Sequence, residues 1–181
     1  METAFTQPLW QNFGAAIDML RNAVSACPAD YWQEKPGKFF YLSYHTTLFL
    51  DYYLSIPVTT FAPRLPYTLG DMDHLPPGAV DDVLPDQWYS QAEVLSYLAQ
   101  IRSKGKTLIA SATPASLQAP WITPEEVGLH GLCPTLVESY TVLEIGLYNL
   151  RHVQHHTAQL NLLLRQAGAP VPEWVAMAEA F

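Results

Sequence analysis

Three of the chain's six histidines stand close together, at His152, His155 and His156. His152 and His156 are four apart, so on a helix they lie one turn above the other on one face, with Cβ atoms about 5–6 Å apart. Two imidazoles at that separation share one metal ion when a third ligand arrives from elsewhere in the fold. His45 is the candidate for that ligand. Its neighbours one turn away, Tyr41, Leu42, Leu48 and Phe49, are bulky and mostly apolar, which turns its ring toward the core. Burying an imidazole with nothing to bond costs on the order of 1–3 kcal/mol, so a partner is expected. A metal is one such partner and a neighbouring tyrosine hydroxyl is another. The competing reading of the histidine cluster is a polar helix face with no metal at all.

Four long helices must position these residues. Thr6 and Pro8 open the first, and Leu9, Phe13, Ile17, Leu20 and Val24 recur at helical spacing until Cys27-Pro28 stops the run. Asp18 within it reads as a solvated face residue. The second helix, from about Lys38 to Ser55, carries His45 near its middle. Ser90-Gln91-Ala92-Glu93 is a capping box that opens the third, which runs to about Ala112. Arg102, Lys104 and Lys106 populate its latter half, where the helix dipole favours cations. Thr135-Leu136-Val137-Glu138 repeats the capping pattern and predicts a fourth helix to about Ala167, closed by Gly168. Its middle, Tyr140 to Val153, is apolar nearly all round, as in a helix wrapped by others. Residues 171–181 read as a short extra helix.

Residues 56–88 are rich in proline, Asp and Gly and show no sustained period. So long a connection is uncommon unless it covers a site or crosses over the fold. His74, beside Asp71 and Asp73 in this stretch, reads as exposed, and Val58-Thr59-Thr60-Phe61 is a candidate for local strand pairing. A second proline-bearing loop spans residues 114–134. Four long helices with two long connections describe an all-α chain, a four-helix bundle of the crossover type, as one domain over residues 1–181.

Composition narrows the function classes. Hydrophobic residues make up 49% of the chain, enough for a substantial core. Charged residues make up 14% against a usual share of about 25%, so much of the surface is uncharged or covered by a partner, and a homodimer is expected. The net charge of -8, with no basic cluster, argues against nucleic acid as a partner. No apolar run reaches the roughly 18 residues of a membrane span. The start, from Met1 to Thr6, lacks the basic and apolar regions of a signal peptide, which leaves the cytoplasm as the default. Cys27 and Cys133 match no metal spacing, and each directly precedes a proline. They read as two free thiols at element edges.

The stretch His152-Val153-Gln154-His155-His156-Thr157-Ala158-Gln159-Leu160, followed by Leu162-Leu163-Leu164-Arg165-Gln166-Ala167-Gly168, resembles the C-terminal signature of the DinB/YfiT-like metalloenzymes. That signature is roughly His-x-x-x-His-Arg-Gly-Gln, then an apolar stretch ending in Arg-Gln-x-Gly. The resemblance spans nearly the whole chain in helix order and loop lengths, while its specific motifs are few and short. It implies a DinB-like four-helix bundle with His45, His152 and His156 as metal ligands. The register of Gln159 and Leu160 favours His156 over His155. Thr157-Ala158 stand where the family commonly has Arg-Gly, which touches substrate or packing details rather than the ligands.

Tyr148, one turn before His152, and Asn149 are candidates to hydrogen-bond a ligand ring or a metal-bound water. Three neutral imidazoles suit one divalent ion, Zn(II), Ni(II) or Fe(II). With no fourth protein ligand in view, a position stays open for water or substrate, as catalysis requires. The resemblance implies a transferase in which the metal activates a low-molecular-weight thiol for attack on a small electrophilic molecule. The alternative is a non-catalytic, stress-related metal-binding bundle that acts through dimerisation.

Overall fold

Helix α3 (Lys38–Tyr53) is buried along nearly its whole length, and the other elements are arranged around it. This computed structural model describes residues 3–181. Met1 and Glu2, the beginning of the segment read as lacking a leader, lie outside the described residues. The chain is mostly helical. Among the described residues the long helices are α1 (Thr3–Ala26), α3, α4 (Gln91–Ala110) and α6 (Val142–Gln166), with short helices α2 (Ala29–Gln33) and α5 (Pro114–Gln118) between them. Helix α1 packs on α4 and α6, and α3 packs on the same two helices. Among the described residues no helix is long and apolar enough to cross a membrane.

The stripe predicted for α1 faces the core, with Phe13, Ile17, Leu20 and Val24 buried. Helix α4 meets it with Val94, Leu98 and Ile101. Gly105 lets α4 approach the end of α3: a Cβ there would stand 3.3 Å from Leu54 Cδ1. The cations expected to answer the dipole of α4 form pairs with other elements instead. Arg102 grips Asp18 through two bonds of 2.8 Å, so Asp18 is not a solvated face residue. Lys104 Nζ reaches the buried Asp51 of α3 at 2.6 Å, and Tyr97 donates to the same carboxylate.

Residues 56–88 form a strap across α3. It holds an antiparallel hairpin missing from the sequence reading, β1 (Tyr67–Leu69) with β2 (Val83–Pro85), in the register Thr68 opposite Leu84. Val58–Thr60 is a 3-10 turn, not a strand. The Tyr44 hydroxyl of α3 donates to the Pro66 carbonyl at 2.7 Å. Trp88 stacks on Phe40 with ring centroids 3.9 Å apart. Gly78 sits at φ 95, and a Cβ there would meet the Pro36 carbonyl oxygen at 2.5 Å, so only glycine lets the strap turn this close to the start of α3. His74 is exposed and pairs with Asp71.

Three expectations are corrected. The last long helix begins at Val142 rather than Thr135, making it 25 residues long. Both starts carry the capping pattern, but residues 135–141 are claimed by tertiary bonds. The Trp121 indole donates to the Val137 carbonyl at 2.7 Å, and the Val142 N–H bonds the Ala119 carbonyl. Thr135–Val137 is therefore a 3-10 turn, and the capping box falls on Thr141 and Glu144. Second, α6 is not wrapped all round. It buries one stripe (Ile145, Asn149, Val153, Thr157, Leu160, Leu164) and leaves Leu147 and Leu162 exposed. The wrapped helix is α3, because the strap covers the side that would otherwise face water. Third, residues 171–181 form no helix. They run in extended form over α1, where the Ala178 N–H bonds the Gln11 carbonyl and the Trp10 indole donates to the Glu179 carbonyl.

The corrected start of α6 is directly measurable. Thr141→Ala removes a working N-cap and is expected to lower stability by about 1 kcal/mol in urea unfolding. Thr135→Ala is expected to change it by less than about 0.5 kcal/mol. The opposite order would place the cap where the sequence alone put it.

Candidate metal centre

The seam between α3 and α6 is buried and aromatic, and the histidines face one another across it. His45 comes from the middle of α3 and is buried. Its Nε2 lies 3.1 Å from the Nε2 of His152 on α6. The His156 ring follows one turn later, its centroid 4.9 Å from that of His45 and 4.4 Å from that of His152. One nitrogen from each of these three residues lies within 4.8 Å of the others. Nitrogens about 2.0–2.1 Å from a tetrahedral zinc stand about 3.3 Å from each other, so small rotations of the rings suffice to accept an ion.

Register explains the convergence. The buried stripe of α6 places Asn149 and Val153 against α3 and leaves His152 and His156 at its edge. His155, on the outer face, is exposed and is not among the three converging residues. Asn149 is fully buried, and its side-chain amide donates to the Leu50 carbonyl of α3 at 3.1 Å. This bond ties the two helices together, and the Asn149 Oδ1 has no hydrogen-bond partner. Tyr148 lies nearly parallel to the His152 ring with centroids 6.4 Å apart, and it packs edge-on against Tyr53. Phe49 lies against both His45 and His152. Tyr148 thus contributes a wall.

Two residues that sequence reasoning passed over address the outer nitrogens. The strap carries Asp81 to His45, with Oδ2 3.1 Å from Nδ1. This is a close ion-pair distance, although not aligned as a hydrogen bond. The other Asp81 oxygen accepts from the Val83 N–H, which anchors the carboxylate. His156 Nδ1 lies 2.7 Å from Gln159 Oε1. An amide oxygen only accepts, so Nδ1 carries the proton and Nε2 is left with its lone pair. The signal for Gln159 was its position three residues after His156. The signal for Asp81 was weaker: an acidic pair inside a connection long enough to cover a site.

Burial keeps His152 and His156 uncharged. Desolvation, reinforced by His45 and the other histidines nearby, pushes His152 down to about 2. Desolvation also lowers His156 to about 4, partly opposed by its bond to Gln159. Both are neutral at pH 7, the form that binds metals. Cys27 and Cys133 are free thiols, as expected. Burial pushes Cys27 up to about 12 and raises Cys133 too, so neither is a ready nucleophile. One side of the centre opens: His156 and Gln159, with Lys38, Val80 and Leu163, line a cavity of about 280 Å³.

No family model, curated protein or solved structure matches this chain. The functional reading therefore rests on the residues just described.

A pH dependence follows from the two lowered imidazoles. In the unfolded chain each titrates near about 6.5, while in the fold each resists its proton to a much lower pH. The unfolded chain therefore binds more protons than the folded one below about pH 6.5, and stability falls as pH drops. Chelator-treated protein is expected to lose melting temperature steadily between about pH 6.5 and 5, above the usual carboxylate range. A flat profile there would mean that the rings are not buried as described.

Proposed function

We propose that this chain is a divalent-metal-dependent enzyme of DinB/YfiT-like type, acting with a low-molecular-weight thiol on a small electrophilic molecule. One observation carries the reading: His45, His152 and His156 from two facing helices present ligand atoms within 4.8 Å of one another. Two further features agree with it. The signature from His152 to Gly168 lies on α6 and just beyond its end, and four long helices with two long connections are compatible with a crossover four-helix bundle. The departure from the family pattern at Thr157 falls in the buried stripe, where a threonine fits and an arginine would need a partner.

The donor set fits a divalent ion. The three imidazoles are all nitrogen donors, and the outer nitrogens of His45 and His156 already face an acceptor. That ion, when bound, supplies Lewis acidity that lowers the pKa of a thiol or water and makes a nucleophile at neutral pH. The chain's own residues do the rest. Gln159 holds the His156 ring in the orientation that aims Nε2 inward, and Asp81 stands beside the outer nitrogen of His45. Phe49, Tyr53 and Tyr148 keep water from the α3–α6 side, where a low local dielectric strengthens electrostatic attraction. The face bounded by Val80 and Leu163 receives the substrate.

Elemental analysis of protein purified without a histidine tag is expected to find about one equivalent of a divalent metal. His45→Ala and His152→Ala are expected to lose it while keeping the far-ultraviolet circular dichroism of the parent. Turnover of an electrophile should require both metal and thiol. Metal without such turnover would leave a non-catalytic metal-binding protein, and no metal in the intact protein would remove the proposal.

Asp81 gives a separate check. Asp81→Ala is expected to weaken metal affinity by about 10- to 100-fold, read by competition with a chromogenic chelator. An unchanged affinity would show that the strap carboxylate does not support His45.

A further inference from the structure

Away from the histidines the molecule holds a second cavity, of about 320 Å³, between α1, α4 and α6. Its walls include Phe13 of α1, Leu108 of α4, and Leu143 and Gly146 of α6, with Leu117 of α5 at one edge and Tyr53 at another. A neighbouring cavity shares Ala112, Leu117 and Leu143 and continues past Phe5 toward solvent. Among the described residues, no Asp, Glu, Lys, Arg or His lines either space.

The two serine hydroxyls in the first cavity are already engaged. Ser111 Oγ donates to carbonyls of its own helix, and Ser116 Oγ donates to the Thr113 carbonyl. Water is held in a cavity by about two to four polar partners, and a charged ligand needs a counter-charge. The cavity favours neither. Apolar walls facing an empty space forfeit dispersion contacts that an apolar guest restores.

Gly146 adds an independent observation. A glycine inside a helix is less favourable than alanine by roughly 1 kcal/mol, so close packing is its ordinary justification. Packing explains Gly14, where a Cβ would meet Ala178 at 2.7 Å, and Gly105, where it would press on Leu54. It does not explain Gly146, since a Cβ there would have nothing within 4 Å. The missing side chain leaves volume in the cavity wall.

We propose that this cavity is a binding site for one small uncharged apolar molecule, an alkyl chain or an aromatic ring system that needs no hydrogen bond. Its volume lies at the lower end of the roughly 300–1,000 Å³ typical of ligand pockets. None of the three histidines lines it, so this site stands or falls separately from the metal reading.

The test uses the full chain and the neutral fluorophore N-phenyl-1-naphthylamine. Saturable enhancement at one equivalent, displaced by 1-decanol, is expected with and without divalent metal. Gly146→Leu and Ala112→Phe fill the space from opposite walls. Each is expected to weaken the fluorophore by about tenfold or more while metal content and circular dichroism stay as in the parent. Nuclear Overhauser contacts in the unsubstituted protein locate the guest even where a filled variant does not fold. Contacts to the methyls of Leu108, Leu117 and Leu143 support the site. Contacts to Val80 and Leu163 instead, no saturable binding, or undiminished binding in a folded filled variant would overturn it.

Discussion

Two helices meeting across a buried aromatic seam decide most of what this molecule can do. Helix α3 lies against α6 with Asn149 bonded to the Leu50 carbonyl and with Phe49, Tyr53 and Tyr148 filling the space around His152. Taking the rings out of water makes their charged forms costly, so the histidines at the edge of the seam stay neutral. A neutral imidazole that has lost its water needs a substitute for it. Another ring nitrogen at 3.1 Å is one substitute, and a cation is a stronger one. The same burial that makes the seam a good core thus prepares a ligand set.

The strap makes that arrangement directional. It is fixed to α3 through Tyr44 and Trp88, and its hairpin anchors Asp81 through the Val83 N–H. A carboxylate beside His45 from outside and an amide oxygen beside His156 leave the inward nitrogens as the natural acceptors. An irregular connection thereby performs a task that the helices cannot. No position on α3 itself places a carboxylate behind the ring of His45, because neighbours one turn away share its face rather than its far side.

How much of this was legible depends on the range of the interaction. The pairing of His152 with His156 follows from an i, i+4 spacing, and the inward turn of His45 from its apolar neighbours, so local geometry sufficed for both. Asp81 lies 36 positions from His45 in a stretch without period, and only the folded path of the strap brings them together. The start of α6 was ambiguous for a different reason. Thr135 and Thr141 offer the same capping chemistry, and the choice is made by Trp121 and Ala119, which bind the intervening backbone. Which helix would be wrapped was also a non-local matter. The composition of α6 is apolar enough, yet α3 carries the strap, and Leu147 and Leu162 remain outside.

The extended segment at residues 171–181 divides the molecule electrostatically. Glu179 is held down to about 2, chiefly by its bond to Arg102, and it also meets Lys106, while Arg102 shares itself with Asp18 of α1. These groups sit at or near the surface, within reach of dissolved ions, as does the partly exposed Asp81 carboxylate beside His45. Ionic strength therefore acts on the pairs around Arg102 and Glu179, since screening weakens exposed pairs over about 10 Å at 0.1 M. A concentrated salt solution slackens the belt that joins α1 to α4.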